Sequence, residues 1–293
     1  MKRGEEGLAK AYDDTANRIG NQERGIRELA QRVLFWIVYA RRPLTTEELR
    51  HALAVEPSAC ILDKTNLCPV KDMVSSCAGL VIVDSNIIRL VHYTTQEYFQ
   101  HRGLKSFEDV QRDIIARSCL TYLSYDVFAN KSNLESLRQH AFFEYAAENW
   151  AYHIQNIQES VRDIALKFLM DDRKASASSQ VLFNSLRQFC GMHLVAYFGL
   201  SDIAVRLLQE KDPDTKDSSG RTPLSYAVEK GNARLVNLLL DYNADLFSKC
   251  KEEWTPFSRA IEGGNATVIK IILAKGAKID YRYELVRISN RYE

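Results

Sequence analysis

A mainly α fold is predicted: a three-helix unit with a small β-hairpin, a helical layer, then a solenoid of short helix pairs. Three observations predict it. A pattern beginning at Gly220 returns 33 residues later, as stacked repeats do. Elsewhere apolar residues recur at the three- and four-residue spacing of helices. Uninterrupted β-branched runs with a turn between them occur at Gly79–Val83 and Ile87–Val91.

The repeat is clearest in Gly220-Arg221-Thr222-Pro223-Leu224-Ser225-Tyr226-Ala227 and Trp254-Thr255-Pro256-Phe257-Ser258-Arg259-Ala260. Thr222 and Thr255 are suited to capping a helix, with Pro223 and Pro256 at first-turn positions where a missing N–H is harmless. Gly231 and Gly264 end the short first helix. A second helix carries Leu235, Val236, Leu239 and Leu240 in one copy and Val268, Ile269, Ile272 and Leu273 in the next. Asn243 and Gly276 stand where a left-handed cap is expected. A fainter copy runs from Met192-His193-Leu194-Val195 through Gly199, Ile203, Val205, Leu207 and Leu208. The pattern resembles the ankyrin-repeat family, with Ser225 and Ser258 where that family usually has His. The resemblance implies an ankyrin-repeat solenoid that binds other proteins and does no chemistry. Its turn tips and first helices imply a protein-binding face made of Arg221, Tyr226, Glu229, Lys230, Glu253, Trp254, Arg259 and Glu262. Tyr226 and Trp254 are the expected anchors, because aromatic and Arg side chains dominate interface hot spots; packing of Trp254 between repeats is the competing expectation.

Lys plus Arg number 39 against 38 Asp plus Glu, a balance that argues against a dedicated nucleic-acid or anionic-membrane binder. No apolar run approaches the roughly 20 residues of a membrane span, and the charged start is not a signal peptide. Six scattered cysteines without a C-x-x-C pair read as reduced thiols of an intracellular protein, placed in the cytoplasm with the nucleus also open. Cys60, Cys68, Cys77 and His92 have no metal-site spacing.

Residues 1–23 are polar and read as a linker or a fraying helix. Gly20 and Gly25 have the outer spacing of a phosphate loop, but Ile26 and Arg27 stand where Lys and Ser/Thr are required. Leu29, Val33, Trp36, Ile37 and Ala40 then make a helix that stops before Pro43. Thr45-Thr46-Glu47-Glu48 opens a second helix as a capping box, Val70–Cys77 is a third, and Asp84-Ser85-Asn86 turns the hairpin. Three helices and a hairpin describe a winged helix.

Trp36-Ile37-Val38-Tyr39-Ala40-Arg41-Arg42-Pro43-Leu44-Thr45, Ala52-Leu53-Ala54-Val55 and Arg89-Leu90-Val91-His92-Tyr93-Thr94-Thr95-Gln96-Glu97-Tyr98-Phe99 resemble the winged helix, of GPI inositol-deacylase type, that follows the NACHT domain in fungal STAND proteins. Tyr145-Ala146-Ala147-Glu148-Asn149-Trp150 is similar to the helical segment those proteins place before their ankyrin array. The resemblance implies the C-terminal part of an intracellular receptor without its nucleotide-binding domain. It also implies that His92 is the residue that senses the β-phosphate of ADP; the bland alternative is a His that fixes a strand-to-helix turn.

The expected organisation is a linker (1–23), a winged-helix domain (24–103), a helical domain (104–187) and about three ankyrin repeats, the last incomplete (188–293). Within the helical domain, Lys174–Ser179 reads as a loop. DNA binding through the winged helix is a further alternative, weakened because Asp72 offsets Lys71 on the helix that would enter the groove. No cofactor, metal or reactive centre is expected. Gly199-Leu200-Ser201-Asp202-Ile203 lacks the closing Gly of a nucleophile elbow, and the adjacent acids Asp171-Asp172 and Glu252-Glu253 point apart on a helix. Three repeats are near the lower limit for an independent stack. Deleting the helices before Gln188 is therefore expected to unfold the array; a cooperative thermal melt by the isolated repeats would refute this.

Overall fold

The computed structural model describes residues 2–99, 108–130, 133–185 and 188–275. The predicted end of the last repeat, Gly276-Ala277-Lys278, lies outside the described residues. The chain divides into two compact units: Met1–Val127 with Arg138–Ile154, and Phe128–Leu137 with Gln155–Glu293. The helical layer expected over 104–187 is shared between them.

The first unit begins with α1 (Lys2–Gly20) and α2 (Arg24–Tyr39). Part of the expected linker is thus a helix with a packed side: Thr15 and Ile19 are buried, and the Tyr12 hydroxyl lies 2.6 Å from Thr94 Oγ1. Next come β1 (Leu44–Thr45), α3 (Thr46–Leu53), α4 (Val70–Ser76), β2 (Val81–Asp84), β3 (Ile87–Leu90) and α5 (Tyr93–Tyr98). The strands order β1-β3-β2, both pairs antiparallel. Ser85 and Asn86 both take positive φ (49° and 69°), the geometry of a two-residue turn matched to strand twist. The capping box forms as expected: Glu48 N–H donates to Thr45 Oγ1 (3.1 Å) and Thr45 N–H to Glu48 Oε2 (2.8 Å).

Helix α2 buries Val33, Leu34, Phe35, Trp36 and Val38, an apolar surface wide enough to meet both the winged-helix core and a further helix pair. That pair is α6 (Glu108–Leu123) and α8 (Phe143–Ile154), with the short α7 (Leu134–Arg138) between them in sequence. Trp36 meets Phe142 edge-on at 5.4 Å, and Ala146 and Ala147 let α6 and α8 approach closely. Polar contacts fix the docking. Arg42 holds Glu48 through two bonds (3.0 and 2.6 Å), Arg41 lies 3.8 Å over the Tyr152 ring, and Arg41 N–H donates to the Tyr145 hydroxyl (3.1 Å).

The second unit carries α9 (Arg162–Met170), α10 (Asp172–Leu182), α11 (Gly191–Phe198), α12 (Ser201–Leu207), α13 (Pro223–Glu229), α14 (Ala233–Asp241), α15 (Pro256–Gly263) and α16 (Ala266–Ala274). Helices α11, α13 and α15 stack side by side, as do α12, α14 and α16. Gly199, Gly231 and Gly264 end the first helices with φ between 59° and 72°, and Asn243 (φ 60°) follows α14 as expected. The stretch expected as a loop is the middle of α10. Ala175, Ala177, Ser178 and Ser179 are buried, since small residues let it lie close to its neighbours, and Asp171 caps it by accepting from Arg173 N–H (3.1 Å).

Helices α9 and α10 both pack on α11, and α9 also on α12, so they cover the outer side of the first repeat. The closest approach is at Gly191, where an added Cβ would lie 2.0 Å from the carbonyl oxygen of Leu169. Gly191→Ala is therefore expected to destabilise the second unit by about 2–3 kcal/mol, seen as a lower urea midpoint for that unit with the first unit's transition unmoved.

Candidate protein-interaction surface

The carboxylate of Asp217 organises the first turn tip. Its Oδ1 accepts from Ser219 N–H (2.8 Å) and Arg221 N–H (2.9 Å), and Asp217 N–H returns a bond to the Arg221 carbonyl (2.9 Å). The Tyr226 hydroxyl donates to Oδ2 at 2.5 Å. Tyr226 is thereby tied into the repeat and is only 1% exposed. Arg221, itself buried, lies 3.9 Å over that ring and pairs with Glu229.

Trp254 is 6% exposed, beneath the guanidinium of Arg259 at 5.8 Å. The two aromatic anchors expected on the binding face are therefore framework side chains. Of the eight residues proposed for that face, Glu229, Lys230, Glu253 and Glu262 are exposed and Arg259 is partly so. Glu229 connects repeats, taking Arg221 from its own and Arg259 (3.6 Å) from the next, while Lys230 lies 4.2 Å over Tyr197. The exposed part of this face is a charged edge resting on the buried Tyr226 and Trp254.

Glu253 stands one repeat after Gly220 and takes the same left-handed conformation, φ 66° against 77°. A non-glycine residue held there is strained, which is more often tolerated where the side chain has a task. Glu253 is exposed and paired with Lys249 (2.8 Å).

The first repeat shows what the sequence pattern obscured. Cys190-Gly191-Met192-His193 occupies the place of Thr222-Pro223-Leu224-Ser225, with Cys190 standing for the capping Thr. His193 Nε2–H donates to the Arg221 carbonyl of the next repeat (3.0 Å). Its Nδ1 then accepts from Cys190 N–H (3.1 Å) and the Cys190 thiol (3.0 Å). Burial keeps this imidazole uncharged, below its ordinary range.

In the first unit, His92 is exposed at a cleft of about 370 Å³ whose lining includes Arg41, Arg42, Arg89, Tyr93 and Gln96. Thr94 N–H donates to His92 Nδ1 (3.3 Å), capping α5, and Thr94 Oγ1 sits 2.8 Å from the same nitrogen. The proton of the neutral ring is thus on Nε2, which makes no hydrogen bond to the described residues. Arg42 and Arg89 are committed to Glu48 and Asp84.

Comparison with known proteins agrees with this architecture. Residues 192–283 match ankyrin repeats in three copies, and residues 18–111 match the winged helix domain of GPI inositol-deacylase. The chain is 28% identical over 174 residues to azaphilone pigments biosynthesis cluster protein L of Monascus ruber, covering 52% of this chain and 36% of that protein. Over 61 residues it is 46% identical to delta-latroinsectotoxin-Lt1a of Latrodectus tredecimguttatus, covering 20% of this chain and 5% of the toxin. The chain thus spans well under two thirds of these relatives. No helix among the described residues is long and apolar enough to cross a membrane.

Because His193 is held neutral, its proton affinity is lower folded than unfolded, so stability is full above the ordinary imidazole value of 6.5 and falls as pH drops below it. The unfolding free energy of the second unit, from urea titration, is expected to fall between pH 7.5 and 5.5, by at most about 1.4 kcal/mol per pH unit. His193→Gln should flatten that dependence.

Proposed function

We propose that this chain is a noncatalytic protein-interaction module whose ankyrin stack is the contact surface, and that it serves as the C-terminal, sensing part of a fungal STAND-type intracellular receptor. The observation that carries the first half is the stack itself: repeats in register, aromatics buried, and a charged edge of Glu229, Lys230, Glu253, Arg259 and Glu262 left at the surface. Support for the second half comes from the pairing of an ankyrin array with this type of winged helix, and from the Monascus relative matching over half of the chain.

The titratable groups support a chain without a reactive centre. Burial pushes the thiol of Cys77 up to about 12 and raises those of Cys119 and Cys190, whereas a nucleophile needs the opposite shift. Burial holds His51 and His193 low, locking them neutral among packed side chains.

A second reading is favoured by one observation: His92 Nε2–H faces outward although Nδ1 is used as a helix cap. In this reading the winged helix docks a separate nucleotide-loaded NACHT domain, with His92 donating to a phosphate oxygen.

A photo-crosslinker installed at Lys230, or in a separate sample at Glu262, of the full chain is expected to trap protein partners in fungal extract, and charge reversal at the other position (Glu262→Lys with the first probe, Lys230→Glu with the second) to abolish those adducts without moving the melting temperature. Adducts indifferent to the reversal, or substrate turnover by the purified chain that one side-chain change abolishes, would overturn the proposal. Association with a NACHT chain that appears only with ADP or ATP, and is lost in His92→Ala, would select the second reading.

A further inference from the structure

Helix α1 packs on α5 as well as on α2, and polar side chains make the first of these joins. Tyr12 and Thr94 are 82 residues apart in sequence, and their hydroxyls meet at 2.6 Å. One turn further along α5, the Tyr98 hydroxyl donates to Asp13 Oδ1 (2.5 Å), with the Tyr12 and Tyr98 rings 5.4 Å apart. Thr94 Oγ1 also lies 2.8 Å from His92 Nδ1, the nitrogen that caps α5. Thr94 therefore touches both the phenol of α1 and the imidazole. Tyr12 and Thr94 are half-buried, and His92 is exposed.

The proton positions along this line follow by elimination. His92 Nδ1 accepts from Thr94 N–H (3.3 Å), so in the neutral ring it carries no proton. The Thr94 hydroxyl beside it must then donate to it. That leaves Thr94 Oγ1 only lone pairs for Tyr12, so the phenol donates in turn. The direction is Tyr12 O–H to Thr94 Oγ1–H to His92 Nδ1, with the ring's own proton on Nε2.

Hydrogen bonds in series polarise one another. A phenol donating to Thr94 makes that hydroxyl a better donor to Nδ1, and so favours the tautomer with its proton on Nε2. In the other direction, an acceptor that takes the Nε2–H raises the electron density on Nδ1 and strengthens its hold on Thr94, and through Thr94 on Tyr12. Coupling of this kind is reciprocal. We propose that Tyr12, Thr94 and His92 form a relay that couples the seating of α1 on the winged helix to the state of the exposed imidazole, with Tyr12 a positioning residue for His92. The relay goes beyond both functional readings above, because it belongs to the chain alone and needs no particular partner.

The test uses the full chain with ¹⁵N-labelled histidine, above the ordinary imidazole range of pH. The His92 ring signals, identified among those of six histidines by their loss in His92→Asn, are expected to show the Nε2–H form. Tyr12→Phe and Thr94→Val should each move both ring nitrogens toward the average of the two tautomers, whereas Thr94→Ser should leave them in place. Backbone hydrogen exchange reads the opposite direction. His92→Ala is expected to speed exchange of the α1 amides about fivefold, the scale of one lost hydrogen bond. His92→Asn, whose Oδ1 still accepts, should not. In a Tyr12→Phe or Thr94→Val background His92→Ala should add nothing further, since the relay is already cut; an effect that only frays α5 would add in full. Thr94→Val leaves α1 itself unaltered and decides the matter if Tyr12→Phe fails to fold. Ring signals unmoved by Tyr12→Phe or Thr94→Val, or moved as much by Thr94→Ser, would overturn the proposal. So would α1 exchange that His92→Ala leaves unmoved, that His92→Asn speeds equally, or that rises additively in the double variants. Failure of the relay would leave both functional readings standing.

Discussion

A helix pair of about 33 residues has an apolar side that it cannot cover by itself, and the architecture of the second unit follows from that constraint. Each repeat covers its neighbour, and α9 with α10 covers the first. The cover has to come close, which explains a helix as rich in Ala and Ser as α10 and a glycine at 191. Apolar contact alone leaves adjacent helices free to slide. Polar ties between repeats set the register: His193 to the Arg221 carbonyl, Asn232 Nδ2 to the Ala196 carbonyl (3.2 Å), and Arg234 to Asp202 (2.6 Å). The last of these is exposed and worth little in stability; its value is positional.

The first unit meets a related problem differently. A winged helix is small, and α2 exposes more apolar surface than three short helices and a hairpin can bury. The α6–α8 pair takes the surplus, with Trp36 against Phe142 and Tyr145 as the seam. Arg41 and Arg42, just past the end of α2, lock onto α8. Arg42 is divided between Glu48 on one side and Glu148 (3.7 Å) on the other, and its bond to Glu48 strengthens its hold on its proton. The cleft beside His92 is bounded by arginines that already have partners. That is why the second functional reading depends on the imidazole more than on the positive charge around it.

The repeats at 222 and 255 were legible because Thr-Pro, Gly and a spaced apolar stripe each have a local physical cause. The first repeat was fainter because Cys190-Gly191 replaces Thr-Pro: the thiol still meets the His, but nothing in the one-letter pattern announces it. The Ala/Ser run of α10 looked like a loop because composition reports local preference, and here tertiary packing overrides it. In α1, Thr15 and Ile19 are too sparse a signal to separate a packed helix from a linker. The winged helix was legible down to its capping box and hairpin turn. Which residues of the expected face lie at the surface was only half legible. A 33-residue period aligns Arg221 with Trp254 and Tyr226 with Arg259; it does not say that Asp217 turns the phenol inward.

The two turn tips show how such a surface becomes rigid enough to use. The first is held from within by the Asp217 carboxylate. The second has Cys250 in place of that carboxylate and Glu253 where the first has Gly220, but it keeps the matching backbone bonds: Cys250 N–H donates to the Trp254 carbonyl and Glu253 N–H to the Cys250 carbonyl (2.9 Å each). The two tips are also tied to each other, Lys251 N–H donating to the Ser219 carbonyl (3.0 Å) and Lys216 Nζ to the Lys249 carbonyl (3.0 Å). A surface already fixed by such ties loses little freedom when a partner arrives, and the free energy of contact is then not consumed in ordering it.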